Sequence, residues 1–543
     1  MGARTCPAYR SPQYPETYGD LLDWAVRRVE DPDNRVFLRI SEEGVTYAQF
    51  RNRVDQVSNL LTRVGVQKGD HVAVFLQSCL DYAYLYHALG KCGAVLCPIN
   101  PFVKGEPLEY ILRHSDSRYL ITASALFDEK LAGIAGSLGN IRCALFTDQR
   151  RDIPGAEALL LSEYTREEDE FRPKQRVTGD DIHGIWYTSG TTGVPKGAVV
   201  NQKTYLYRIL FFADYFRMTK RDVLYYVLPT YHVAYACWGG PLALAAGAQI
   251  VQVPWFSASS FWGDVVRCGA TVTFSTGTVI PILLQQPVTE AETVGRDKLR
   301  LWVGFPVDDP KSVRDRWPNV KFMEAYGTTE VPVVSIADFD NPEFGDAGPP
   351  AVYTTLKILD PESGAELPPG KVGEIVAGHK LGPDYILKEY YKDPAKTKEV
   401  IRGGYWHSGD LGMINERGHL KFADRLKDYL RIGGENVSSS VVEAVLRKHP
   451  SVLEAAIVGH KGALGHDEIV THVVPKEGAS IDPKDLFEFC NANMAYFMVP
   501  RYLVVRKELP KTGTMRVEKY KLRQEGISAG AADRAELGIT LKR

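Results

Sequence analysis

The sequence is poor in the features that would place it in a special class. It has eight cysteines in 543 residues, without a framework spacing. Cys92 and Cys97 flank a Gly-Ala-Val turn into a strand, and no partner pair completes a zinc site, so a disulfide scaffold and a zinc module are both excluded. Reduced structural thiols in a cytoplasmic protein are the expectation. No apolar run approaches the ~20 residues needed to cross a bilayer. Residues 1–15 hold no apolar stretch that could act as a signal peptide. After Met1-Gly2, Cys6 stands where a myristoylation signal wants Ser or Thr. An excess of one charge is missing too. Lys and Arg number 65 against 67 Asp and Glu, a net charge of −2, which excludes both a bulk-charge nucleic-acid binder and an acidic solvating tail. There is no internal repeat and no low-complexity segment.

What is present is ordinary globular material, 44% hydrophobic and 24% charged, in a chain long enough for more than one cooperative unit. Residues 71–76 (HVAVFL) read as a buried strand after the turn Lys68-Gly69-Asp70. A helical stretch over 80–89, broken at Gly90, leads to a strand over 94–98. Such a strand–helix–strand unit favours a parallel sheet covered on both faces. Further strands are expected at 118–122, 143–147, 184–187, 224–228, 250–253, 271–275, 301–304 and 321–324. The pattern then changes. Segments 418–422 and 429–432 look like a β pair, a helix follows over Val441, Val442, Val445 and Leu446, then strands at 455–458 and 468–474. A helix at 483–490 and a strand at 501–505 complete a compact α+β unit. The expected fold is therefore α/β: a large N-terminal domain, 1–426, with mostly parallel, helix-covered sheets, and a small α+β C-terminal domain, 427–543. Asp424-Arg425-Leu426-Lys427-Asp428 is a charged connector with Lys427 as the hinge. From Gly526 the chain is small and polar and is expected to be poorly ordered.

The sharpest chemical signal is Trp186-Tyr187-Thr188-Ser189-Gly190-Thr191-Thr192-Gly193-Val194-Pro195-Lys196-Gly197. An apolar strand runs into a loop of hydroxyls and glycines closed by a lysine. Glycines let backbone N–H groups turn toward phosphate oxygens, the hydroxyls add donors, and Lys196 adds a charge. The Walker order of glycine, lysine and Ser/Thr is absent, so this is not a P-loop of that kind.

This loop resembles the phosphate-binding signature of the adenylate-forming superfamily: acyl- and aryl-CoA ligases, adenylation domains of peptide synthetases, and luciferases. Other motifs of that family follow in order, so the resemblance covers nearly the whole chain. Leu228-Pro229-Thr230-Tyr231-His232 is similar to its Pro-x-x-Phe-His segment, and Val303-Gly304-Phe305-Pro306 to its Gly-Gly-Ala-Pro turn with the first glycine replaced. Ala325-Tyr326-Gly327-Thr328-Thr329-Glu330 matches its Tyr-Gly-x-Thr-Glu motif. Tyr405-Trp406-His407-Ser408-Gly409-Asp410 resembles its Thr-Gly-Asp motif. Arg425-Leu426-Lys427-Asp428 and Gly433-Gly434-Glu435-Asn436-Val437 are similar to its hinge and the first strand–turn of its mobile C-terminal domain.

The resemblance implies an enzyme in which an acid's oxygen attacks the α-phosphorus of ATP, releasing pyrophosphate and leaving an acyl-adenylate. It implies that Thr188, Ser189, Gly190, Thr191, Thr192, Gly193 and Lys196 hold phosphates, and that Gly304, Phe305, Pro306, Tyr326, Gly327, Thr328 and Thr329 line the nucleotide site. Glu330, with Thr191, would ligate Mg²⁺, a hard cation that takes oxygen donors. Asp410 and Arg425 would bind the ribose hydroxyls, and Tyr326 would stack on adenine. Tyr231, His232, Trp238, Phe305, Val331 and Pro332 would wall the acid pocket, a lining that suits an aromatic or medium-sized organic acid. Thr191, Lys196, Glu330 and Arg516 would be the catalytic group.

The largest departure from the family is Leu509-Pro510-Lys511-Thr512-Gly513-Thr514-Met515-Arg516-Val517-Glu518-Lys519, which is similar to its Pro-Lys-Thr-x-Thr-Gly-Lys motif. Met515 replaces the final glycine and Arg516 the catalytic lysine, while Lys519 is a usual companion of the motif and no obvious substitute. Arginine keeps the charge but presents a planar fork in place of a point charge. The leading expectation is an ATP-, Mg²⁺- and CoA-dependent acid–CoA ligase, with Gly433, Gly434 and Glu435 toward the CoA acceptor, no carrier domain in the chain, no nucleic-acid or membrane partner, and a homodimer as one option. Alternatives are a ligase-like enzyme of secondary metabolism that activates a different acid, such as nitrite for diazotisation of an aryl amine, and a weakly catalytic ATP-binding regulator.

Overall fold

The computed structural model describes residues 13–164, 170–188, 195–276, 279–304, 310–425, 430–432, 435–461, 467–511, 517–528 and 530–541. By backbone contact the chain forms two units. The larger takes 1–190, 194–356 and 377–406, and the smaller 191–193, 357–376 and 407–543.

The larger unit contains two eight-stranded sheets. Across the first, the strands run Ser335–Ile336, Lys321–Tyr326, Leu301–Gly304, Val272–Phe274, Val223–Tyr226, Gln249–Gln252, Val36–Ile40 and Glu43–Thr46. Its six inner strands are parallel and only the two edge strands run against them. The second sheet runs Glu389–Tyr390, Lys196–Asn201, Ile182–Thr188, Val95–Pro98, His71–Phe75, Tyr119–Thr122, Cys143–Phe146 and Glu157–Leu160. Six of these are parallel, and Lys196–Asn201 folds back antiparallel on Ile182–Thr188. Val72, Ala73, Val74 and Phe75 are all buried, as expected where helices cover both faces. Every expected strand of this unit is present, within a residue or two at each end.

The expected helix break at Gly90 is not there. The helix runs Leu80–Cys92 and ends at Gly93, whose φ of 69° is left-handed. Gly90 stays inside because a Cβ on it would lie 3.3 Å from Tyr18 and 3.7 Å from the ring of His183, so it serves close packing. The helix stops at the residue that can take a positive φ.

In the smaller unit, Val452–Lys461, Asp467–Pro475, Tyr502–Val505 and Ala532–Asp533 form one sheet in that order. The helix Pro483–Asn493 makes the crossover between its parallel pair. Alternation splits the strands cleanly. Ile457, Ile469 and Val473 join Val442, Leu446 and Phe487 in one core, while Ala456, Val458, Val470 and Val474 join Leu522 in another. Two expectations fail here. Segments 418–422 and 429–432 do not pair with each other: Leu420–Arg425 pairs with Tyr405–Ile414, and Leu430–Ile432 with Glu435–Val437. Each pairs with a segment next to it in the chain. The chain beyond Gly526 is also ordered where described. Ala532–Asp533 adds a strand edge to Tyr502–Val505, and Ala532, Ile539 and Leu541 pack on the core, apolar side chains that outweigh a polar composition.

Candidate active site

In the first sheet the expected residues come from the carboxyl ends of neighbouring parallel strands. Tyr231 and His232 follow Val223–Tyr226, Gly304 ends Leu301–Gly304, and residues 326–330 follow Lys321–Tyr326. This is the end at which open α/β sheets bind ligands, because strand order and loops leave a crevice there.

The 326–330 loop is held from three sides. Thr328 Oγ1 accepts from the backbone N–H groups of Glu330 and Val331 at 3.2 and 3.3 Å. Tyr205 Oη donates to the Thr329 carbonyl at 2.8 Å, and Leu387 N donates to the Glu330 carbonyl at 2.7 Å. Gly327 is required: a Cβ there would meet the backbone nitrogen of Val333 at 2.3 Å. Val333 has φ 57°, a strained conformation for a β-branched residue, where the chain doubles back so that Val334 N reaches the Tyr326 carbonyl.

Glu330 is 9% exposed, and its Oε1 accepts a hydrogen bond of 2.6 Å from Tyr390 Oη. Burial, and then the Glu330 charge, push the Tyr390 phenol far above its usual range, so it stays a donor. The same ring lies 5.9 Å from Lys196 Nζ. Tyr390 thus meets both Lys196, which closes the loop expected to hold phosphates, and Glu330, the acid expected to hold metal. Burial, with Lys396 nearby, lowers the Lys196 pKa. Thr188 and Lys196 face each other in register, with Thr188 Oγ1 donating to the Lys196 carbonyl at 3.5 Å. The donor set suits Mg²⁺. It offers a buried carboxylate fixed through one oxygen, with Thr328 and Thr329 just before it in the chain, and no cluster of three His, Cys, Asp or Glu exists among the described residues. Mg²⁺ is commonly bound this way, by one or two carboxylates plus substrate phosphates.

Tyr326 is 5% exposed, its ring sunk at the strand end. His232 caps the helix Val233–Trp238, its Nδ1 accepting from Ala234 N at 3.1 Å. Burial lowers its pKa to about 4, so it is neutral at pH 7 with the proton on Nε2. Tyr231 and Val331 are buried. Trp238 packs its ring on Phe212, Phe274 and Phe216 at 4.8, 5.0 and 5.6 Å, so part of it belongs to the core.

In the smaller unit, Asp410 is 6% exposed and directly opposite Arg425 in an antiparallel register. The two residues expected at one ribose are therefore strand partners. Ser408 Oγ accepts from Asp410 N at 2.9 Å and donates to the Ile375 carbonyl at 2.6 Å. Gly409 turns with φ 66°, its N–H donating to Glu374 Oε1 at 3.1 Å, and Glu374 Oε2 pairs with His407 Nδ1 at 2.9 Å. Lys519 is committed elsewhere, 2.7 Å from Glu443. A bridge between Lys511 and Val517 closes the chain on either side of 512–516.

Ser189, Gly190, Thr191, Thr192, Gly193, Phe305, Pro306, Lys427, Gly433, Gly434 and Arg516 lie outside the described residues, and only the backbone of Arg425 and Glu435 is described. Tyr390, Glu374 and Arg208 escaped the sequence reading. For Arg208 a signal existed: a lone charge in the run Tyr205-Leu206-Tyr207-Arg208-Ile209-Leu210-Phe211-Phe212.

A family model described as AMP-binding enzyme matches residues 24–391, and one described as AMP-binding enzyme C-terminal domain matches 441–516. Crotonobetaine/carnitine–CoA ligase of Escherichia coli O7:K1 is 29% identical over 491 residues, 88% of this chain and 93% of the relative. ATP-bound MatB from Rhodopseudomonas palustris superposes with a TM-score of 0.81 at 27% identity, over 94% of this chain and 98% of that one. The anthranilate CoA ligase AuaEII in complex with anthranoyl-AMP superposes with a TM-score of 0.84 at 24% identity, over 96% and 98%, a likeness of fold. The chain belongs to the AMP-binding enzyme family and is an adenylate-forming, AMP-forming ligase.

Proposed function

We propose that this ligase activates an organic acid with ATP and Mg²⁺ and passes the acyl group to CoA. The observation that carries the reading is the buried Glu330 carboxylate, fixed by Tyr390 at the carboxyl ends of parallel strands, with Lys196 against the same tyrosine. In the first half-reaction a carboxylate oxygen of the acid bonds to the α-phosphorus of ATP, the bond to the bridging oxygen breaks, and pyrophosphate leaves. In the second, the CoA sulfur bonds to the acyl carbon, AMP departs with the bonding pair, and the thiol proton is released.

Lys196, Thr188 and the 189–193 loop hold phosphate oxygens, while Glu330 with Thr191 holds Mg²⁺, which when bound offsets the charge on those oxygens. Gly304, Phe305, Pro306, Tyr326, Gly327, Thr328 and Thr329 line the nucleotide, and Asp410 with Arg425 takes the ribose. Neutral His232, with Tyr231, Trp238, Phe305 and Val331, walls the acid. Arg516 supplies the charge at the α-phosphate, a role that Lys519 cannot take while paired with Glu443. Lys427 is the hinge, and Gly433, Gly434 and Glu435 face CoA. Incubation with ATP, Mg²⁺ and a panel of acids, with and without CoA, tests the reading: AMP, pyrophosphate and an acyl-CoA are expected. ADP as the stoichiometric product would refute adenylate formation, and AMP without any thioester would refute the CoA step.

A further inference from the structure

Arg208 carries a positive charge into the interior with no carboxylate to meet it. It lies on the helix Gln202–Tyr215 and is 3% exposed. Its Nη1 donates to the carbonyls of Thr204 at 2.5 Å and Tyr385 at 3.1 Å. Its Nη2 is buried without a partner, and so is the hydroxyl of Thr204, one turn back on the same helix face. Among the described residues no Asp or Glu acts on the guanidinium; its electrostatic neighbours are Cys237, Tyr205 and Tyr353. These are neutral groups: burial pushes the Cys237 thiol up to about 12 and the Tyr205 phenol well above its usual value. The same burial draws Arg208 down only to about 10, so it is charged at pH 7. A buried cation left unpaired is strongly unfavourable, and two orphaned donors beside each other add to the cost.

The place of this charge matters. Tyr205, three residues earlier on the helix, donates to the Thr329 carbonyl in the loop that presents Glu330. Cys237 belongs to the helix Val233–Trp238, whose cap is His232. Through its neighbours Tyr205 and Cys237, the guanidinium is one residue removed from both the Glu330 loop and the helix capped by His232.

We propose that Arg208 and Thr204 form an anion-binding subsite at the inner end of the acid pocket, and that the substrate is a dicarboxylic acid. One carboxylate is activated, and the second receives hydrogen bonds from Nη2 and the Thr204 hydroxyl. This rests on the ligase reading of the same site. A monocarboxylic acid of equal length would leave the buried cation unpaired, so discrimination comes from a cost imposed on the wrong substrate.

The test is acid-dependent exchange of labelled pyrophosphate into ATP, using pairs of dicarboxylic and monocarboxylic acids matched in length, aliphatic and aromatic. The wild-type enzyme is expected to favour the diacid by about 100-fold or more in kcat/KM. Arg208→Met should reverse this preference, losing about 100-fold on the diacid through its KM while gaining on the monoacid. Arg208→Lys should fall between. A diacid without ATP should raise the melting temperature of the wild type and not of Arg208→Met. Should Arg208→Met fail to fold, the wild-type panel and Arg208→Lys still decide. Equal exchange with both members of each pair, or a loss in Arg208→Met that falls alike on both acids and on the KM for ATP, overturns the proposal and leaves the ligase reading intact. Absence of exchange with every acid overturns both.

Discussion

Glu330 follows the strand Lys321–Tyr326 and Asp410 lies inside the strand Tyr405–Ile414, each in its own unit, and different groups hold the two acids in place. The Glu330 carboxylate itself is gripped, by the phenol of Tyr390 at 2.6 Å from a segment 60 residues away. Around Asp410 the backbone is held: Ser408 Oγ accepts from its N–H, Glu374 accepts from Gly409 N, and the strand register sets Arg425 opposite. A metal ligand needs one oxygen aimed at a small ion, so its side chain must be immobilised. The ribose site proposed at Asp410 needs two residues at a set separation, and strand pairing supplies that separation.

The comparison can be broken by substitution. The largest effect is expected for Glu330→Ala, which should slow Mg²⁺-dependent adenylate formation by about 10²–10³-fold in a folded protein, measured by pyrophosphate exchange. Activity within a few-fold of wild type would remove Glu330 from metal binding. Asp410→Ala comes next. The loss of a charge-assisted contact to the sugar should raise the KM for ATP about 10–100-fold, while the Mg²⁺ requirement at saturating ATP stays put. For Tyr390→Phe, which deletes only the hydroxyl, the Mg²⁺ concentration at half-maximal rate should rise about 10-fold, and Mn²⁺ affinity read by paramagnetic resonance in the presence of ATP should fall with it. An unaltered metal dependence would mean that the phenol does not position Glu330. Glu374→Ala should do the converse, raising the KM for ATP a few-fold with no metal effect, since Glu374 holds His407 and Gly409 just ahead of Asp410.

The smallest effect is a control on stability. Burial lowers His87, His232 and His472 to about 4 and His183 to about 3, all below the unfolded value near 6.5. Below pH 6.5 the unfolded chain binds protons that the folded chain does not. Stability is therefore full above that pH and falls as the pH drops toward 4, by up to about 1.4 kcal/mol per pH unit for each histidine. Tyr390→Phe removes no group that binds a proton in this range, so its acid unfolding curve should keep the wild-type midpoint shift with pH. A variant that changes it has altered the core, and its kinetic effect would then say nothing about the site.

Much of the site was legible because its motifs are local. The apolar run that ends at Tyr187 already implies a strand entering a loop closed by Lys196, whereas the return strand Lys196–Asn201 came only from the structure. What could not be read was which distant segment meets each motif. Tyr390 reaches Glu330 because its short strand pairs with the strand that begins at Lys196, with Tyr390 opposite Ala198. Glu374 meets His407 and Gly409 across 33 and 35 residues. The two misread strands of the smaller unit failed for a related reason: either could pair with several neighbours, and each took one adjacent in the chain.

The sequence by itself determined the family and the α/β layering, and it nominated the residues proposed to touch nucleotide and acid. These rest on short-range rules: period, turn chemistry, and the donors a phosphate or a cation accepts. Tertiary structure alone decided how those residues are held and what lies behind them. Whether the helix at Leu80 stops at Gly90 or runs to Cys92 depends on the space beside Tyr18 and His183. Whether a polar tail is ordered depends on an open strand edge at Tyr502–Val505. Whether Arg208 finds a carboxylate depends on helices and loops that converge from residues 204 to 385. Long-range packing sets burial, and burial makes an unpaired charge costly enough to select a substrate.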